Sequence, residues 1–340
     1  MSFAHDHTRR QFLKTASAIA GAAGFSLSPM SSAFGQSFPS RNINIYVPTR
    51  EGGGADALLR ASSGVWKKYL DNAKFEATFY PGAAGRVGYE KYMGLAKPDC
   101  YDLVFGNMGP ESLNWVVQPP TFSQDDFFYF AQVDEDPGTI FVSRDSPLQT
   151  IDDIVAEGKK RVLNVGVSRL AHPATLGMLA LGRHTGAQFN PIPLSGGKNT
   201  RAGVVTKEMD FGALPSGSIV SRAKNFKVVL MFTHDNPIPD RSDNAPTINA
   251  KFGMNLPSLY AGNRAYGIKK EAVENHPDRY KILTDTLQKI YGDPDFKAAI
   301  EKIKVPWEFI KYGNAEACAV YVKGIMDVGK DFKELLTGKS

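Results

Sequence analysis

Twice along this chain a short apolar strand pattern hands over, through a glycine- or proline-marked turn, to a helical pattern. Residues 43–47 (Ile-Asn-Ile-Tyr-Val) alternate apolar and polar and stop at Pro48. Gly52-Gly53-Gly54 follows, then a helical pattern over 55–69 with Leu58, Val65, Trp66 and Tyr69 on one face. A strand at 75–80, the turn Pro81-Gly82-Ala83-Ala84-Gly85, a helix at 87–96, a break at Pro98-Asp99 and a strand at 101–106 complete the first run. The second run reads strand 139–143, a helix opened by Thr150 with Asp152 and Asp153, strand 162–167 and a helix at 173–184. Strands 209–214 and 227–232 follow, on either side of a short helix at 216–224. Alternation of this kind builds mainly parallel sheets flanked by helices, so the expected fold class is α/β. Two runs of similar plan predict two lobes of comparable size. The Pro-, Asn- and Asp-rich stretch 233–258 reads as connection, and 270–291, 294–303 and 314–336 as helices, the last capped by Asn314.

At 340 residues the chain is long enough for two or three domains. Hydrophobic residues make up 42% and charged residues 22%, which excludes a disordered chain, a collagen and a polytopic membrane protein. The 40 Lys and Arg are interspersed with 35 Asp and Glu, so no basic run marks a nucleic-acid surface. The net charge of +5 fits a mild preference for anionic ligands.

The N-terminus carries an address. Thr8-Arg9-Arg10-Gln11-Phe12-Leu13-Lys14 fits the twin-arginine export pattern at every position. A weakly apolar stretch at 15–27 follows, and Ala33-Phe34-Gly35 offers small residues for cleavage before Gln36. The expected signal peptide is therefore 1–35, with export to the periplasm; an amphipathic helix is the other reading. The apolar run is too short and too weak to span a bilayer, and no Cys stands at the cleavage point for a lipid anchor. Arg9, Arg10 and Lys14 leave with Asp6, which takes the net charge from +5 to +3. Cys100 and Cys318 belong to no CxxC pair. Both a bridge and two unpaired thiols are compatible with the sequence.

The Gly52-Gly53-Gly54 loop is the strongest local signal. It leaves a strand and opens a helix, so its N–H groups lack helical partners and favour an anion. Gly52-x-Gly54-x-x-Ala57 also fits a dinucleotide fingerprint, but that needs an acid at the end of the next strand, and Glu76 lies near its start. A turn with packing duties only is the plainest reading. Arg50, beside Glu51 at the loop mouth, is suited either to grip a carboxylate bidentately or to face solvent. Asp56 reads as a cap. Ser168 ends a strand within Gly166-Val167-Ser168-Arg169-Leu170, which lacks the second Gly of a nucleophile elbow. A second polar clamp fits better, with His172 either donating to a ligand or making a structural hydrogen bond. His184, His234 and His276 have no metal-ligand spacing, and no HExxH, P-loop or paired-carboxylate motif is present. No cofactor and no catalytic activity are expected.

Several spacings taken together resemble one family. Phe38-Pro39-Ser40-Arg41, Val47-Pro48-x-x-x-Gly52-Gly53-x-x-Asp56-x-x-x-Arg60, Pro81-Gly82-Ala83-Ala84-Gly85-x-x-Gly88 and Pro98-Asp99-x-Tyr101 look like its first half. Pro193-x-x-Gly196-Gly197 and Asp210 look like its second. The chain from Phe38 onward resembles the periplasmic solute-binding receptors of tripartite tricarboxylate transporters, the Bug or TctC family. That resemblance implies a type II-like two-lobed binding protein, monomeric, with a small organic carboxylate held in the interlobe cleft. It implies two integral membrane transporter subunits as partners. A sensor feeding a kinase and an exported nucleotide-dependent oxidoreductase are the alternatives. The loops implied to hold ligand carry Thr49, Arg50, Gly52, Gly53 and Gly54, and Ser168, His172 and Thr175. Gly85, Asn107, Ser195, Gly196 and Asp210 are expected to join them. Where the family reads Ser-x-Gly-x-Gly-Ser, this chain keeps Ser168 but has Leu170, His172 and Pro173. Leu194 replaces a Tyr, Cys100 a Gly, and Arg50 and Glu51 stand where small or apolar residues are common. These departures point to a different or bulkier carboxylate, aromatic acids included. The expected lobes are 36–142 with 255–340, and 143–254.

Overall fold

The computed structural model describes residues 37–71 and 73–337, so the expected signal peptide lies outside the described residues. From Phe38 onward the chain packs as one unit around two six-stranded sheets. Its strands are β1 (Ile43–Val47), β2 (Phe75–Phe79), β3 (Asp102–Asn107), β4 (Phe127–Asp134), β5 (Asp136–Ser143) and β6 (Leu163–Val167). They continue as β7 (Phe189–Pro193), β8 (Phe211–Pro215), β9 (Phe226–Met231), β10 (Tyr260–Gly262), β11 (Arg264–Lys269) and β12 (Ile310–Asn314). The first sheet has the order β12-β4-β11-β3-β1-β2. The second runs β10-β5-β8-β6-β7, with β9 also paired to β5.

Each sheet thus anchors one lobe of a two-lobed α/β protein. The sheets are mixed, not mainly parallel. β1 runs parallel to β2 and β3, whereas β11 is antiparallel to β3 and β4, and β12 to β4. In the second sheet β6 is parallel to β7 and β8, while β5 is antiparallel to β8, β9 and β10. The βα runs supply the parallel pairs; the antiparallel ones come from strands that enter each sheet after crossing over.

Local patterning explains the recognisable elements. Ile43, Ile45 and Val47 of β1 are fully buried while Asn44 and Tyr46 are partly exposed. The helix Gly54–Trp66 covers that face with Leu58, Leu59, Val65 and Trp66. Trp66 stacks on Phe75 at 4.9 Å and donates its indole N–H to Thr286 at 2.9 Å. Ile140, Val165, Leu176 and Phe211 of the second sheet pack into another core, which Leu113, Ile325, Phe332 and Leu336 from outside that sheet also join.

Other expectations shift. The chain changes sheet at Glu135, between β4 and β5, and returns at Asn263, between β10 and β11. These points differ from 142 and 255 because 136–143 and 260–262 are both strands of the second sheet. The helix expected over 270–291 divides at His276-Pro277 into Lys270–Asn275 and Pro277–Lys289, since proline cannot donate to the preceding turn. The last long helix spans Ala315–Asp331 and is capped by Asn314, whose Oδ1 accepts from Ala317 N–H at 3.0 Å. Cys100 and Cys318 are free, buried thiols, and burial pushes both up to about 12. Among the described residues no helix is long and apolar enough to cross a membrane.

Candidate ligand cleft between the lobes

The parallel strands of both sheets end at one crevice, where an α/β fold exposes its βα loops. A cavity of about 750 Å³ lies there. The first lobe contributes Thr49 and Arg50 after β1, Gly85 after β2 and Asn114 from the helix Met108–Val117. The second contributes Ser168 and Arg169 after β6, and Ser195 and Gly196 after β7. Among the described lining residues there are two arginines and no carboxylate.

Arg86–Leu95 and Gly197–Val205 begin at this crevice, and Gly54–Trp66 begins behind the lining residues Thr49 and Arg50, with Gly53 outside the lining. Their N-cap residues are Gly53, Gly85 and Gly196, and none receives a side-chain cap. Elsewhere Thr150 closes a reciprocal capping box with Asp153. The cleft-facing helix ends therefore keep free N–H donors and their positive dipole ends. Gly85 and Gly196 have φ of 103° and 117°, conformations that other residues rarely adopt. A Cβ on Gly85 would also stand 3.0 Å from Cγ of Glu111. The Thr49 hydroxyl is buried without a hydrogen-bond partner among the described residues.

Below the floor lies Glu111, 1% exposed. Its Oε2 accepts from the Tyr89 hydroxyl at 2.5 Å and from Asn107 N–H at 2.7 Å. Its Oε1 has no partner among the described residues. Burial pushes this carboxyl up to about 7, against the opposing pull of Arg169 and these hydrogen bonds. At the crossing point Arg264 pairs with Asp134, and its N–H donates to Asp134 Oδ1 at 2.8 Å. Asp136, across in the second sheet, accepts from Ser216 Oγ at 2.9 Å and Gly217 N–H at 2.8 Å.

This is the fold met in solved solute-binding proteins. A TctC solute-binding protein from Polaromonas is 21% identical, covering 89% of this chain and all of that one, with a TM-score of 0.67. R. palustris Rpa4515 with adipate is 18% identical over 88% of this chain and 98% of its own, with a TM-score of 0.72. The fold is that of the TctC-type solute-binding proteins. A UPF0065 protein of Bordetella pertussis is 26% identical over 211 residues, 60% of this chain and 64% of that relative's length. No family model matches. The motif resemblance read from the sequence agrees with these likenesses.

Within this cleft, Thr49, Arg50, Gly85, Ser168, Ser195 and Gly196 line the cavity. The other expected residues support it from behind or lie elsewhere. Gly52 N–H donates to Asp56 Oδ2 at 2.8 Å, and Asp56 and Glu51 both hold Arg60, so this trio fixes the loop. Gly54 starts the helix over the Arg264 guanidinium. Asn107 ties the return crossing, accepting from Asn263 N–H at 2.8 Å. His172 is a helix cap whose Nδ1 accepts from Ala174 N–H at 3.3 Å. Burial, with Arg169 and Arg264 nearby, pushes its pKa well down, so the ring is neutral and shut in. Thr175 donates to the Arg169 carbonyl at 3.0 Å. Asp210 precedes β8, at the end away from the crevice, where Arg161 grips it bidentately and Asn164 N–H donates to it. Its strand position, invisible in spacing alone, removes it from the cleft. Glu76, the acid closest to a dinucleotide fingerprint, is held by Asn42 beside the start of β2.

Arg169 is the charged residue of the described lining that sequence reading passed over. Its signal is the one that marked Arg50: a cation at a strand's carboxyl end. Among the described residues no cluster of three His, Cys, Asp or Glu could hold a metal.

Proposed function

We propose that this chain is a periplasmic receptor that captures a small organic carboxylate between its lobes and delivers it to the two membrane subunits of a tripartite tricarboxylate transporter. The observation that carries this reading is the cleft lining: Arg50 and Arg169, the uncapped helix starts at Gly85 and Gly196, and no Asp or Glu among the described lining residues. Guanidinium groups and free helix N-termini stabilise carboxylates and disfavour cations. The adipate seen with the R. palustris relative is a ligand of that chemical class. The two crossings, at Glu135 and Asn263, form the hinge about which the lobes close. The twin-arginine motif, outside the described residues, supports export.

A thermal-shift screen over mono-, di- and aromatic carboxylates tests the function. A ligand present at about a hundred times its Kd should add roughly 2.7 kcal/mol of stability. A flat response to every acid, with no solute in native mass spectra, would remove the receptor reading. Arg50 is exposed at the rim, and among the described residues it makes no ion pair. Arg50→Ala should weaken carboxylate binding by about tenfold, the range of a charge-assisted hydrogen bond. Calorimetric titration reads this directly, and an unchanged Kd would mean that Arg50 faces solvent in the complex.

A further inference from the structure

The anion-favouring cleft is floored by an acid. Glu111, on the helix Met108–Val117, is 1% exposed and lies directly behind the lining residue Gly85: a Cβ on Gly85 would stand 3.4 Å from Glu111 Oε1. We propose that Glu111 sets the ionic selectivity of the cleft: it must hold a proton for an anionic ligand to be retained, so a carboxylate is captured together with a proton and is released as the medium turns alkaline. This inference rests on the receptor reading and names the state of the site that performs it.

The contacts of Glu111 divide its two oxygens. Oε2 accepts from the Tyr89 hydroxyl at 2.5 Å and from Asn107 N–H at 2.7 Å, with the Tyr129 hydroxyl at 3.5 Å. Oε1 is buried and has no partner among the described residues. The donors on Oε2 are all neutral. Among the described residues no cation stands within ion-pair distance of either oxygen. An ionised carboxyl buried without a cation is costly, so the group favours its neutral form. Its proton belongs on Oε1, the oxygen that accepts nothing. Burial pushes this carboxyl up to about 7, in agreement with the geometry.

The charged groups around Glu111 decide what its ionisation does. Arg169 is the foremost cation acting on it, and Arg169 also lines the cleft. Its Nη1 donates to the Ala84 carbonyl at 2.8 Å, a neutral acceptor that leaves the guanidinium charge uncompensated. Arg264 on β11 also feels Glu111, but Asp134 and Asp136 answer it more strongly. Tyr89, on the helix Arg86–Leu95, and Tyr129, on β4, stay protonated because burial raises both far above the usual tyrosine range. His172, beyond Arg169, is held neutral by burial and by the two arginines. Of these groups only Glu111 changes charge near neutrality. Arg169 therefore has two claimants, the ionised Glu111 behind the floor and a ligand carboxylate in the cavity. With Glu111 neutral, the guanidinium field reaches the ligand undiminished. With Glu111 ionised, that field is cancelled and the ligand is repelled across Gly85, where water screens little. The ligand enters and leaves as a carboxylate. The proton comes from solvent to Glu111 on capture and returns to solvent on release.

The probes for the test are adipate and benzoate, which are fully ionised from about pH 6.5 to 8.5, so a change of affinity in that window belongs to the protein. Calorimetric titration should show Kd rising about tenfold across it, as linkage to a group near 7 requires. Repeating the titration in cationic buffers of different ionisation enthalpy at about pH 7.5 should reveal uptake of most of a proton per ligand. Glu111→Gln keeps acceptor oxygen for Tyr89 and Asn107 N–H; its Kd should be level with pH and its proton uptake nil. A residue that only shapes the floor would offset Kd equally at every pH and leave the proton count alone. Circular dichroism verifies the fold of the variant, and if it does not fold the parent's pH profile and proton count decide. A parent with level Kd and no proton uptake overturns this inference and leaves the receptor reading standing. A folded Glu111→Gln that keeps the parent's slope also overturns it, by placing the proton elsewhere. Binding of neither acid at any pH counts against the receptor reading, and this inference falls with it.

Discussion

Asp134→Ala should destabilise this chain by about 3–5 kcal/mol, the cost of leaving one member of a buried ion pair uncompensated. Asp134 is fully buried, and it neutralises Arg264 through both the side chain and the backbone N–H. The guanidinium has no ready substitute. Asp136 is nearby, but its Oδ1 is occupied by Ser216 and Gly217, and the Arg264 Nε already lacks a partner among the described residues. The pair need not be a net source of stability. Burial holds the Asp134 carboxyl up at about 6 in spite of the adjacent cation, so desolvation outweighs attraction. The double variant Asp134→Leu with Arg264→Met should therefore lose less than the single one. Denaturant titration decides, with a Tm fall of about 5–10 °C as the thermal counterpart. A loss below about 1 kcal/mol for Asp134→Ala would mean that the crossing between the sheets has water access and that the pair behaves as a surface one.

That pair also shows why the lobe boundary was hard to read. The segment from Phe127 to Ser143 is buried almost throughout, so neither β4 nor β5 shows an alternating pattern. Between them stand Asp134, Glu135 and Asp136, which look like solvated loop acids in sequence. Two of the three are buried, and Arg264, the partner of Asp134, lies 130 residues away. β7 was hidden for another reason: Phe-Asn-Pro-Ile-Pro carries two prolines, which suit only an edge strand, and β7 lies at the edge of its sheet. By contrast β1, β2, β3 and β6 were legible, because each alternates or ends at a Gly or Pro stop.

The site divides along the same line. Thr49, Arg50 and Ser168 follow legible strands directly, so local pattern brings them to the carboxyl ends where a crevice forms. Asp210 carries an equally suggestive charge, but it precedes its strand and so lies at the opposite end. The contact between Arg169 and Ala84 spans 85 residues and two sheets. No periodicity reports it, and it depends on lobes folding towards each other. Glu111 sits in a helix buried on nearly every side, where a carboxylate reads as an exposed position.

Glu111→Gln should make the ligand-free chain more stable at about pH 8, by roughly 2 kcal/mol, and should flatten its pH profile. Folding moves the Glu111 carboxyl from its ordinary 4.5 up to about 7, with burial as the main cause. A folded pKa raised above the unfolded one favours the neutral form. Its contribution is fully present below the unfolded value and is lost as pH rises through about 7. The native chain should thus gain about 1 kcal/mol on going from roughly pH 8 to 6.5. Asp134 acts in the same direction at lower pH, since its own carboxyl is raised to about 6. His172 opposes them: pushed well below 6.5, it stays neutral when folded, so acid below its unfolded value favours the unfolded chain. Carboxylates held low by ion pairs, such as Asp327 at about 2, lose their support only in strong acid. The clean window is therefore about pH 6.5–8, where Glu111 is the group in transit. Denaturant melts across that window should slope for the native chain and run nearly level for Glu111→Gln. The variant keeps acceptor oxygen for Tyr89 and Asn107 N–H, so a level but strongly destabilised profile would show that the ionised carboxylate is needed to hold Arg169 in place.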